Sequence, residues 1–241
     1  MVLNGIKAVF FDLDNTLIDT AGASKQAIKE VIQILVDKNK YSEADAHMIC
    51  DMFQAKLLQE NLIDSEMTID DLRILHWKEA MQMIRPVDHK DLAKECYTLW
   101  KKKRLELMTL SENTKNMLHD LRKLTRLVLL TNGEKQVQRE KIEACGVHEF
   151  FDAIVVGGEH VEQKPATSIF LHCCDLLTVK PEDCVMVGDN LETDIRGGLN
   201  AGVKATIWLN ENAAFRGKPC PVPHYTIHSI TDLPRVLKNL Q

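Results

Sequence analysis

The chain has 241 residues, 45% of them hydrophobic and 27% charged, with a formal net charge of −5. That balance belongs to an ordinary globular protein with a core to bury, arranged as one large domain or a core plus a smaller one. The acidic excess, interrupted by a single basic run at 101–104, argues against nucleic acid as a partner, and no stretch approaches the roughly 18 apolar residues that a membrane span needs.

The first predicted element carries the most chemistry. Ala8 to Phe11 is a short apolar run bounded by polar residues, which reads as a buried strand. Asp12 and Asp14 follow it two positions apart. In an extended chain both would face one way, about 7 Å apart, and like charges that close repel unless a cation or a shared proton intervenes.

Residues 20–108 read differently. Helical stretches are expected at 24–37, 42–61, 68–84 and 88–105. In the first, Ile28, Val31, Ile32, Leu35 and Val36 form one apolar stripe. Thr68 and Asp88 are the expected N-caps of the last two. No strand-like alternation occurs here. The pattern predicts an all-helical domain at 20–108, inserted into a core domain made of 1–19 and 109–241, and a lid over the active end of the first strand is its natural role.

From Arg126 onward short strands and helices alternate. A strand at 127–130 runs into Thr131, Asn132 and Gly133, and a helix at 134–145 is closed by Gly146. A strand at 154–156 precedes Lys164-Pro165 and a helix at 166–177, with proline expected in its first turn. A strand at 185–188 ends in Gly188 and Asp189, with Asp194 five residues on and a helix near 193–200. A strand at 205–209, a loop with prolines 219, 221 and 223, and a short C-terminal helix complete the chain. Apolar strands alternating with helices predict an α/β fold, a doubly wound parallel sheet covered on both faces. The seven cysteines are scattered, with no C-x-x-C or zinc spacing. They are expected to be small buried thiols in a reducing, cytoplasmic setting, consistent with the lack of a signal-peptide pattern.

The order D-x-D-x-T, then Thr131, then Lys164-Pro165, then G-D-x-x-x-x-D resembles the phosphatase branch of the haloacid dehalogenase superfamily. The likeness covers most of the chain and is weakest between 39 and 68. It implies a Rossmann-like core with an inserted helical cap, the fourth strand lying on the far side of the first. It implies a Mg2+ ion held by the carboxylates of Asp12 and Asp189 and the backbone carbonyl of Asp14, a donor set suited to a hard cation. Asp12 would be the nucleophile and Asp14 the general acid and base; dehalogenases of the superfamily lack a carboxylic acid at that place. The backbone N–H groups of Leu13, Asp14 and Asn15, with Thr131, Asn132 and Lys164, would hold phosphate. Asp194 would orient Lys164 or the helix start. The implied substrate is a small-molecule sugar phosphate, foremost a nine-carbon acid sugar, with another sugar phosphate or a phosphomutase reaction as the alternative. An acid sugar calls for a basic reader in the cap, and Arg73, His76 and Arg104 are the candidates. No obligate protein partner is expected.

Overall fold

The computed structural model describes residues 5–60, 67–211 and 219–240. The chain divides into two compact units, one of Met1–Asp19 with Thr109–Gln241 and the other of Thr20–Met108.

The first unit is built on a six-stranded parallel sheet in the order β3-β2-β1-β4-β5-β6. Its strands are β1 (Ala8–Phe11), β2 (Arg126–Thr131), β3 (Ala153–Val156), β4 (Cys184–Gly188), β5 (Ala205–Leu209) and β6 (Tyr225–Ile227). Every residue of β1, β4 and β5 is buried, as expected for strands covered on both faces. β1 lies between β2 and β4, with Phe11 level with Leu129 on one side and Val187 on the other. The strand order therefore reverses direction at β1, and the carboxyl ends of β1 and β4 flank the switch point where ligands of open α/β sheets bind.

The connecting helices are α5 (Glu112–Arg122), α6 (Lys135–Cys145), α7 (Thr167–Leu177), α8 (Arg196–Ala201) and α9 (Leu233–Asn239). Gly146 closes α6 in the left-handed conformation, φ 64°, which glycine adopts without steric cost. Three details depart from expectation. α5 and β6 are elements that the sequence pattern does not predict. Pro165 lies ahead of α7 and not in its first turn, because Ala166 is the extended cap residue. The expected helix near 193–200 begins as a π-helical turn over Leu191–Ile195 before α8.

The second unit contains α1 (Thr20–Asp37), α2 (Glu43–Leu57), α3 (Ile69–Ile84) and α4 (Lys90–Leu107). Residue 61, the expected end of the second helix, lies outside the described residues. Thr68 caps α3 by accepting from the Asp71 N–H at 3.1 Å. Asp88 does not cap α4; the helix starts at Lys90 behind His89, and the Asp88 carboxylate instead takes the Lys90 N–H at 3.3 Å, a local turn that competes with helix entry. Ile28, Val31 and Leu35 are buried, with Ile32 and Val36 packed beside them. Phe53 stacks on Trp77 at 4.0 Å and meets Trp100 edge-on at 5.0 Å, geometries worth about 0.5–1.5 kcal/mol beyond the area they bury. Among the described residues no helix is long and apolar enough to cross a membrane, and all seven cysteines are free, six of them buried and Cys220 exposed.

Candidate active site

Where β1 ends, Asp12 stays tied to the sheet, its N–H donating to Val187 O at 3.0 Å. The chain then leaves the ladder. Asn15 takes the left-handed conformation, φ 57°, and its N–H donates to Ile18 O at 2.8 Å. That donor, one of the three expected to face phosphate, is engaged inside the turn. Thr16 returns to the site: its hydroxyl donates to Asp12 Oδ2 at 3.2 Å and accepts the Asp189 N–H at 3.1 Å. One hydroxyl thus ties the end of β1 to the end of β4.

β4 ends in Gly188 because no side chain fits there. A Cβ at that position would lie 2.1 Å from Asp194 Oδ2. The Asp194 carboxylate folds back from the π-helical turn, accepting the Asn190 N–H at 3.1 Å on Oδ2 and the Lys164 ammonium at 2.7 Å on Oδ1. Asn190 opens that turn by accepting from the N–H groups of Glu192 and Thr193 at 2.9 and 3.1 Å. Such turns recur at functional sites.

Lys164 is fully enclosed. Its ammonium lies 2.7 Å from Asp12 Oδ1 as well as from Asp194. Its backbone is clamped by Asn132, whose side-chain amide donates to Lys164 O at 2.7 Å and accepts from Lys164 N–H at 3.0 Å. The Asn132 side chain is therefore occupied in placing Lys164. Thr131, at the end of β2, accepts from Gln138 Nε2 at 2.9 Å.

The electrostatics are unbalanced. Burial pushes the Asp12 carboxyl up, to about 7, against the pull of Lys164 and with the help of Asp194 and Asp14. Burial and then Asp194 raise Asp189 to about 6. Lys164 goes the other way: burial alone would lower it, and Asp12 and Asp194 more than offset that. Among the described residues, one ammonium faces three buried or half-buried carboxylates, which leaves negative charge there without a counterion. Oxygens of Asp12, Asp189 and Asp194 lie within 4.8 Å of one another. These three carboxylates are the acidic oxygens among which a cation could be held. The donor set, hard and anionic, fits a small divalent cation.

Several residues here carry no motif signal from the sequence. Gln138 and Lys141 of α6 both contact the Asp14 carboxylate. The cap candidates lie in the helical unit. Arg73 pairs with Glu60 at 2.9 Å and lies 5.7 Å from the Trp100 ring centre. Arg104 lies over the same ring at 4.2 Å and donates to Ser24 Oγ at 3.0 Å. His76 has its Nε2 3.8 Å from Glu60 and no hydrogen-bond partner among the described residues. Burial lowers its pKa, with Glu60 opposing that shift.

A model of the haloacid dehalogenase-like hydrolase family matches residues 6–202. The N-acylneuraminate-9-phosphatases of Rattus norvegicus and Homo sapiens are each 56% identical over 241 residues, spanning 100% of this chain and 97% of theirs. Among solved structures, the Bacillus subtilis HAD-hydrolase YfnB bound to magnesium matches with a TM-score of 0.69 at 21% identity, over 96% of this chain and 98% of that one.

Proposed function

The chain belongs to the haloacid dehalogenase-like hydrolases and is a phosphoric monoester hydrolase, and from that premise we propose that it is a cytoplasmic enzyme that dephosphorylates N-acylneuraminate 9-phosphate through a phosphoryl group carried on Asp12. The observation that carries the chemistry is the Asp12 carboxylate, fixed at the end of β1 with the Lys164 ammonium 2.7 Å from one oxygen. The observation that carries the substrate is the 56% identity over the whole chain to relatives of that name.

Asp12 attacks phosphorus, the ester oxygen leaves, and Asp14 gives that oxygen its proton. An alkoxide is a poor leaving group, so this proton transfer matters for a sugar phosphate. Asp14 then takes a proton from the water that cleaves the acyl phosphate, which returns Asp12 and releases inorganic phosphate. Lys164, the Thr131 hydroxyl and the N–H groups of Leu13 and Asp14 hold the equatorial oxygens as charge builds on them. Asp12, Asp189 and the Asp14 carbonyl would hold Mg2+, which supplies charge neutralisation between the nucleophile and an anionic phosphate. Asp194 and Asn132 keep Lys164 in place.

These groups recognise phosphate alone. Preference for an acid sugar needs a cation elsewhere, and Arg104, Arg73 and His76 are the candidates. Arg73 faces Glu60, and Arg104 donates to Ser24 Oγ over the Trp100 ring. The test is turnover of a panel of phosphorylated metabolites with magnesium. N-acylneuraminate 9-phosphate should lead in kcat/KM and release phosphate with no isomerised product. A hexose phosphate in the lead would overturn the substrate, and an isomerised product would overturn the reaction class.

A further inference from the structure

α6 turns two polar side chains inward. Gln138 and Lys141, three residues apart and so on one face of the helix, share its buried stripe with Ile142 and Cys145. Lys141 Nζ lies 2.8 Å from each Asp14 oxygen. Gln138 Nε2 lies 2.9 Å from Asp14 Oδ2 and 2.9 Å from Thr131 Oγ1, and it also donates to Asn132 O. Gln138 is 2% exposed and Lys141 7%.

An apolar pair at these positions would fold more cheaply. Burying an ammonium carries a desolvation cost even when it is paired. Gln138 adds a second cost, because its Oε1 is buried with no hydrogen-bond partner among the described residues, and an orphaned buried acceptor disfavours the folded state. The amide is oriented with its NH2 toward three acceptors, on Asp14, Thr131 and Asn132. Its own oxygen is left unpaired in exchange. A helix that accepts both costs at one carboxylate is holding that carboxylate for a purpose.

We propose that Gln138 and Lys141 are positioning residues that fix the Asp14 carboxyl relative to Thr131, so that Asp14 meets the leaving oxygen while Thr131 holds the phosphoryl group. The inference rests on the acid–base role given to Asp14 above. Asp14 stands past the end of β1 with its side chain 25% exposed. Lys141 closes on both of its oxygens. Gln138 bridges it to the end of β2, linking the proton-transfer group to a phosphate-holding group through one amide.

The test is kinetic, with Lys141→Met, Lys141→Arg and Gln138→Leu made in the wild-type and Asp14→Asn backgrounds and their folding checked by thermal unfolding. With N-acylneuraminate 9-phosphate and magnesium, Lys141→Met should lower kcat about 10- to 100-fold at nearly unchanged KM, the scale of a misplaced catalytic group. Hydrolysis of p-nitrophenyl phosphate, whose leaving group needs little protonation, should fall much less. Lys141→Arg should recover part of the loss, and in the Asp14→Asn background Lys141→Met should cost almost nothing further. Equal losses on both substrates, or full additivity with Asp14→Asn, would overturn the positioning role. Should Lys141→Met fail to fold, Gln138→Leu and Lys141→Arg are judged by the same criteria. Wild-type turnover in Asp14→Asn alone would instead overturn the reading of Asp14 itself.

Discussion

Lys164 and Arg73 are both basic side chains facing carboxylates, and the contrast between them separates the two units. Arg73 meets Glu60 in a fork with side-chain exposures of 12% and 13%, above the aromatic core of the helical unit. Guanidinium and carboxylate meet through Nε and Nη2 and clasp α3 to the segment that follows α2. Lys164 is 1% exposed, between Asp194 at 1% and Asp12 at 10%, with Asp189 beside them. Here the charges do not match. A buried ion pair that balances is structural; a buried cluster left with surplus negative charge is built for something that arrives from solution.

The largest effect should come from breaking that cluster at its centre. Asp12→Asn should abolish turnover by steady-state phosphate release, and Asp14→Asn should cut it by about two to four orders of magnitude, the share of acid–base catalysis. Wild-type rates in Asp12→Asn would place the nucleophile elsewhere. Next in size is the scaffold beneath it. Gly188→Ala puts a methyl group 2.1 Å from the Asp194 carboxylate, so Asp194 must release Lys164 or Asn190; we expect kcat to fall by about 100-fold. A comparable rate would show that Asp194 does not place Lys164.

The helical unit should answer differently. Arg104→Ala should remove most of the margin of N-acylneuraminate 9-phosphate over hexose 6-phosphates, about two orders of magnitude or roughly 3 kcal/mol, while p-nitrophenyl phosphate hydrolysis changes little. Arg73→Ala, which also frees Glu60, should show a smaller specificity change and a lower melting temperature. If both substrates fall together in Arg104→Ala, Arg104 serves the fold and not the substrate.

The smallest effect is on stability against pH. Without a divalent cation, Asp12 and Asp189 hold their protons to about 7 and about 6, above the ordinary carboxylate value of 3.8. Between about pH 4 and pH 7 the folded state therefore binds protons that the unfolded state has released, and stability falls as pH rises through that window. Thermal unfolding of metal-free protein should show a lower Tm at pH 8 than at pH 5, and added magnesium should raise Tm more at pH 8. The same gain at both pH values would mean that the surplus charge is not what binds the ion.

Much of the sheet unit was legible in the sequence because its strands are continuous apolar runs that end in chemistry. β1, β2 and β4 carry Asp12, Thr131 and Asp189 at or just beyond their last residues, and buried parallel strands announce themselves this way. β6 was not legible. It is three residues long, follows the prolines at 219, 221 and 223, and buries only Ile227. α5 keeps its stripe of Met117, Leu118 and Leu121 inside an otherwise charged segment. Gln138 and Lys141 escaped for a different reason. Their place on the inner stripe of α6 was visible, yet a polar residue there looks like an ordinary amphipathic boundary until the carboxylate it faces is known. Thr16 lay within the D-x-D-x-T motif, but its bridging of β1 to β4 depends on a strand pairing that spans most of the chain.

That pairing has a consequence for how the molecule comes to exist. Ala8 pairs with Arg126 and with Cys184, so β1 is synthesised long before either neighbour. α1 to α4, emerging in between, can pack among themselves as soon as α4 is made; the sheet must wait for partners still more distant in sequence, whose contacts form more slowly. During that interval β1 is an apolar strand with both edges open, the kind of segment that draws non-native partners. Asp12 thus enters the world at the end of an unprotected strand, and becomes secure only when β2 and β4 pair with it.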